Sequence, residues 1–370
     1  MKIKQEQISS TQLMFSIVCY ILGSSLLTGY ITGVTRQDSW ISIVSGYIVS
    51  LPILGIYTAL AKKFPGKNII EITINTFGKF LGRIISIFYI FFFFSLAFLN
   101  TRNMGDFMTG YIMPETPMLA FFILFVFVCA WTVRKGVETM TRYSVLFFII
   151  TIATILFNFF LMINNIKLRN FFPMFSLPIS KYIQATHTVA ILPFCEILAF
   201  FMLFPYVKES DKIKKSLYSG LTIGATSFLI LMLRDTSVLG AINYIFSAPT
   251  FEVIRLINIG VVFTRIESIY AAILVMLSFF RVSITFFATV SSIAQTFNLH
   301  SYKILVLIFG VLIIIFSLIV FDSASESDYW GKNVAAVYST FFELLLPVIT
   351  LLVAVIKEKL VSKEVKMACK

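Results

Sequence analysis

Thr186-His187-Thr188-Val189-Ala190-Ile191-Leu192-Pro193-Phe194-Cys195-Glu196-Ile197-Leu198-Ala199-Phe200-Phe201 is the stretch on which the fold turns. It is apolar enough for the hydrocarbon core of a bilayer, yet it holds a proline and a carboxylate near its centre. Proline removes a backbone donor and clashes with the preceding turn, so a helix breaks there, in a medium that cannot satisfy the freed groups. A glutamate three residues further on is costly in the same medium and must face a cavity or a partner. The stretch reads as a broken transmembrane helix that carries a polar site.

The rest of the chain extends this reading. Among 370 residues, 58% are hydrophobic and only 13% charged, and the mean hydropathy is +0.92; no soluble core absorbs so much apolar surface. At about 20 helical residues per crossing, the sequence predicts ten membrane helices. Helices 1 to 5 are expected at residues 11–34, 40–61, 82–101, 117–133 and 143–163. Helices 6 to 10 are expected at residues 184–206, 216–239, 266–294, 303–321 and 334–356. Of the 30 Lys and Arg residues, 20 fall on the side of the N-terminus and 9 on the other, with Arg281 inside helix 8. That bias predicts a cytoplasmic N-terminus (1–10), a cytoplasmic basic tail (357–370) and an external connecting loop (164–183).

The same distribution argues against a nucleic-acid partner, because the positive charges are dispersed over six segments instead of gathered on one face. His187 and His300 are too few for a His-based metal cluster, and Cys19, Cys129, Cys195 and Cys369 are too scattered for a disulfide or metal framework. No nucleophile, base and orienting group recur at useful spacing, so neither a cofactor nor an enzyme activity is expected.

Ten crossings with both ends on one side divide into two halves of five, and an odd number inverts the second half relative to the first. The expected fold is an all-α polytopic membrane protein with a five-plus-five inverted repeat, residues 11–163 and 184–356, whose helices 1 and 6 are broken. Helix 1 carries Gly23, Ser24, Ser25 and Gly29 in its middle, matching Pro193 and Glu196 in helix 6. Unwinding near Gly23 would offer free amides and a positive helix end to an anion such as an amino-acid carboxylate. Glu196 would hold the ammonium group, which makes a site suited to a zwitterion. Small residues also serve close helix packing. Arg281 in helix 8 is too deep to reach a surface and is expected to neutralise Glu196. Glu343 in helix 10, four residues before Pro347, lines an ion path or makes an interhelical hydrogen bond.

Several short segments together resemble a known family. They are Ile8-Ser9-Ser10-Thr11-Gln12-Leu13, Arg36-Gln37-Asp38-Ser39-Trp40-Ile41-Ser42, Phe64-Pro65-Gly66-Lys67, Pro114-Glu115-Thr116-Pro117, Gly136-Val137-Glu138 with Arg142, Pro193-Phe194-Cys195-Glu196 and Arg265-Ile266-Glu267. In this order and spacing the chain resembles the spore germination B subunits, the permease-like subunits of nutrient germinant receptors, within the amino acid, polyamine and organocation transporter superfamily. The resemblance implies a receptor in the spore inner membrane that binds an amino acid or similar nutrient between helices 1 and 6. It also implies receptor A and C subunits as partners, and monovalent cation release as the outcome. Gly23, Ser24, Ser25, Pro193 and Glu196 are the positions that carry over; Cys195 stands where glycine would be expected. An amino-acid transporter coupled to H⁺ or Na⁺, and a gated cation channel component using Glu196 and Glu343, remain open beside the receptor reading.

Overall fold

The computed structural model describes residues 7–256 and 266–368; Arg265, most of the N-terminal segment and Cys369 lie outside the described residues. All ten expected helices are present. Helix 1 runs over residues 10–35, and helices 2 to 5 are Ser39–Lys63, Lys79–Phe107 with its extension to Ile112, Met118–Lys135 and Ser144–Leu161. Helix 6 is Ile179–Tyr206, and helices 7 to 9 are Ile213–Leu239, Ile266–Thr296 and Leu305–Ile319. Helix 10 covers residues 335–368 and so includes most of the basic tail. Among the described residues, nine spans are long and apolar enough to cross a bilayer unaided. Helix 1 has a shorter apolar run, Ser10–Leu26, and reaches full length only beyond its interruption.

Four α-helices appear in stretches read as connections: Ile69–Phe77, Val137–Arg142, Pro249–Arg255 and Ala324–Asn333. The starts of the first and last of these are fixed by caps that hydropathy does not detect, and Pro249 opens the third at its N-terminus. Asn68 and Glu71 form a reciprocal capping box, and the Ser323 hydroxyl accepts from the Glu326 amide. Helix 6 begins at Ile179, five residues before its expected start, inside the stretch assigned to the 164–183 loop. Helix 3 continues well past residue 101, because Arg102 and Asp106 pair at i, i+4 (2.9 Å) and cancel each other's cost within the helix.

Helix 1 is tied down at its start. Ser9 and Gln12 form a capping box, and residue 8 pairs with Val207 beyond helix 6. The Glu209 carboxylate accepts from the Ser10 amide (2.9 Å), which holds its pKa below the usual carboxylate range. Helix 1 packs along helix 7, and helix 8 along helix 3. Helix 6 is the axis of the bundle: 94% of its most apolar stretch is buried, against 22% for helices 5 and 9. The outer helices instead expose side chains such as Leu124, Phe127, Leu307 and Ile315, a surface that hydrocarbon accommodates and water does not.

Gly29 marks the closest approach of helix 1 to a loop. A Cβ there would lie 2.2 Å from the Ser247 carbonyl oxygen. Backbone cannot swing aside as a side chain does, so Gly29→Ala is expected to cost at least about 1–3 kcal/mol through overpacking. A thermal unfolding midpoint equal to wild type in detergent would contradict this contact.

Candidate functional site

Both expected interruptions occur, each in its own form. In helix 1 the α-helix ends at Leu22 and tightens into a 3₁₀ turn at Gly23–Leu27 before resuming at Thr28. The break is therefore a tightened turn, not the open gap with free amides that the glycine and serines suggested. In helix 6, Pro193 sits inside a π-helical segment, Ala190–Cys195, that widens the turn around the ring. A 3₁₀ stretch of 11 residues, Glu196–Tyr206, follows and is unusually long for that geometry.

Glu196 stands at the junction of these two segments and is 1% exposed. It forms an ion pair with Arg281 of helix 8, which is 3% exposed and also donates to the Ser24 hydroxyl in the helix 1 turn. The other Glu196 oxygen accepts from the Tyr20 hydroxyl (2.7 Å) and the Asn100 amide (3.3 Å). The Arg281 guanidinium also lies over the Tyr20 ring, 5.0 Å from its centroid. One buried network thus ties together helices 1, 3, 6 and 8 at the level of both interruptions. Charge-assisted bonds of this kind are strong, and in low dielectric each member depends on the others.

The remaining sequence candidates divide. Gly23 serves the close approach of helix 8, since a Cβ would meet the Leu277 carbonyl oxygen at 3.1 Å. Ser25 does not join the Glu196 network; it lines a separate small cavity with Asn158, Arg234 and Tyr270. Glu343 is fully buried in a π-helical segment of helix 10, Phe341–Leu345, and makes no ion pair with Arg281. The nearby Tyr57 hydroxyl bridges the Glu343 carbonyl oxygen (2.5 Å) and the Cys195 carbonyl oxygen (3.2 Å), linking the π segments of helices 10 and 6. Cys19, Cys129 and Cys195 are buried free thiols.

Sequence reasoning missed Tyr20 and Asn100, which are neutral and carry no charge signal. It also missed a second buried ion pair. Arg234, counted among the nine basic residues on the external side, turns its guanidinium onto one oxygen of Asp235 (2.9 and 2.6 Å), and Thr250 donates to the other (2.5 Å).

Space around the network is arranged in series. A cavity of about 40 Å³ adjoins Glu196, Arg281 and Asn100, room for about one water. Beyond it lies a vestibule of about 420 Å³ lined by Asn103, Asp106, Phe107, Tyr111 and Asp328. Tyr30 lines both and separates them; its hydroxyl donates to Asn103 (3.2 Å), and its ring packs against Gly331 so closely that a Cβ there would lie 2.1 Å away. A cavity of about 620 Å³ opens on the opposite face, lined by Lys67, Glu71, Tyr206, Gln295 and His300. The small central cavity and the 420 Å³ vestibule thus meet at Tyr30 and Asn103, which line both.

This arrangement has known counterparts. The fold matches that of Mhp1, a nucleobase-cation-symport-1 family transporter solved in a closed conformation with bromovinylhydantoin bound. The TM-score is 0.70 at 12% identity, over 94% of this chain and 78% of that one. By sequence, the chain is 26% identical to spore germination protein KB of Bacillus subtilis (strain 168), over 96% of both proteins. It is 24% identical to spore germination protein YndE of the same organism, over 84% of this chain and 86% of that protein. A family model described as spore germination protein (spore permease) matches residues 7–325. The match takes in nine of the ten helices and every residue of the Glu196 network, and the chain belongs to the spore germination protein family.

Proposed function

We propose that this protein is the membrane-embedded B subunit of a nutrient germinant receptor, which binds a small nutrient, an amino acid, between the interruptions of helices 1 and 6 and so triggers germination. The observation that carries the reading is the Glu196–Arg281 pair, held by Ser24, Tyr20 and Asn100 where both helices depart from α geometry. A zwitterion matches this pair: its ammonium group competes with Arg281 for Glu196, and its carboxylate competes with Glu196 for Arg281. The closed 40 Å³ cavity corresponds to the resting state, and nutrient enters from the 420 Å³ vestibule once Tyr30 moves aside.

In this reading residues 11–163 and 184–356 are inverted repeats, the receptor A and C subunits complete the complex, and the membrane is the spore inner membrane with both termini cytoplasmic. The 20 to 9 distribution of basic residues supports that orientation. A second reading, an amino-acid transporter coupled to H⁺ or Na⁺, is favoured by the fold shared with a cation symporter. Spores lacking the gene, exposed to single amino acids and sugars, test the proposal. Loss of response to one nutrient is expected. Unchanged germination in every nutrient would reject it, and uptake of labelled substrate by vesicles holding this protein alone would favour the transporter.

A further inference from the structure

Glu343 is the ionisable candidate that the Glu196 network does not use. Its residue is 0% exposed, and neither carboxyl oxygen has a hydrogen-bond partner among the described residues. The donor that comes nearest in role, the Tyr57 hydroxyl, is spent on the backbone carbonyls of Glu343 and Cys195.

The charged groups that act on Glu343 are Glu196 of helix 6 and Arg281 of helix 8, and those two are already paired with each other. Tyr20 of helix 1, Tyr57 of helix 2 and Cys195 of helix 6 also face it, and Tyr89 of helix 3 faces Tyr57. None of these four carries a positive charge. On its own helix, the Glu358 carboxylate is held by Lys63 at the far end. The guanidinium that acts on Glu343 is thus already committed to Glu196, and Glu343 is left buried with no partner among the described residues. An ionised carboxylate without a partner is among the costliest groups to bury, and such a group takes up a proton instead.

We infer that Glu343 is a proton-binding site, loaded in this closed state, and that the ion this site exchanges is H⁺. With a proton on Glu343, the Glu196, Arg281 and Glu343 group is electrically neutral. The proton leaves as Glu343–COOH ionises to the carboxylate, with water as the acceptor, only when the π segments of helices 6 and 10 part at their Tyr57 bridge and water reaches the carboxyl group. The inference goes beyond the nutrient reading and does not depend on it: a receptor and a transporter built on this site would both bind the proton.

Infrared spectroscopy of the purified full-length protein in lipid nanodiscs at neutral pH tests this without any nutrient. A carbonyl stretch from a protonated carboxylic acid is expected in wild type and lost in Glu343→Gln. Should Glu343→Gln fail to fold, Glu343→Asp keeps an acid on a shorter arm, and the band is expected to shift in frequency. Absence of the band in folded wild type, its persistence in Glu343→Gln, or an unshifted band in Glu343→Asp would each overturn the assignment.

Discussion

Arg281→Gln is expected to lose about 3–5 kcal/mol of folding stability, the cost of stranding a buried carboxylate. Glu196 is 1% exposed, and without the guanidinium it keeps only Tyr20 and Asn100 as donors, neither of them charged. The same substitution releases Ser24, so the helix 1 turn loses its tie to helix 8. Glu196→Gln alone is expected to be milder, because glutamine retains the shape and leaves Arg281 bonded to Ser24. The double variant, with no unpaired charge at either position, is expected to recover most of the loss. Protein level in the membrane and thermal unfolding in detergent read all three. A double variant no more stable than Arg281→Gln would show that the pair is not the source of the effect.

Tyr30→Ala is expected to open the route between the vestibule and the central cavity. The tyrosine holds its place by one hydrogen bond to Asn103 and by ring contact with Gly331. Loss of the bond alone is worth about 1 kcal/mol, and truncating a packed aromatic adds several more. A shift of about 1.4 kcal/mol in the opening equilibrium already raises access about tenfold. The measurement is labelling of a cysteine placed at Asn100 by a membrane-impermeant thiol reagent. Slow labelling with Tyr30 present and labelling at least about tenfold faster in Tyr30→Ala are expected; equal rates would mean that Tyr30 is not the barrier.

Much of this architecture is legible in the sequence because hydrocarbon enforces it. An uncompensated charge in a bilayer is so costly that Glu196 and Arg281 stand out in any hydropathy reading, and each implies the other. Charges that cancel locally leave no such mark. Arg102 with Asp106, and Arg234 with Asp235, sit inside helices 3 and 7 although the sequence reading left the first pair outside its helix and counted Arg234 among the basic residues of the external side. Neutral polar residues are harder still, since whether Tyr20 or Asn100 turns inward depends on the helices around it. Ser24 and Ser25 make the same point at closer range. They are adjacent in sequence, but the turn directs one hydroxyl to Arg281 and places the other residue at a different cavity. The form of the breaks was equally hidden, because glycine and proline announce an interruption without saying whether the backbone tightens or widens.

The most direct test of the central claim is the germination dose curve of spores lacking the gene, complemented with wild type or Glu196→Gln at matched membrane levels and exposed to the nutrient that the deletion identifies. If the nutrient's ammonium group is held by Glu196, the curve moves to higher concentration by roughly tenfold or more, since a hydrogen bond to a charged group contributes about 1.5–3 kcal/mol. A curve superimposable on wild type would remove Glu196 from the nutrient site and contradict the account.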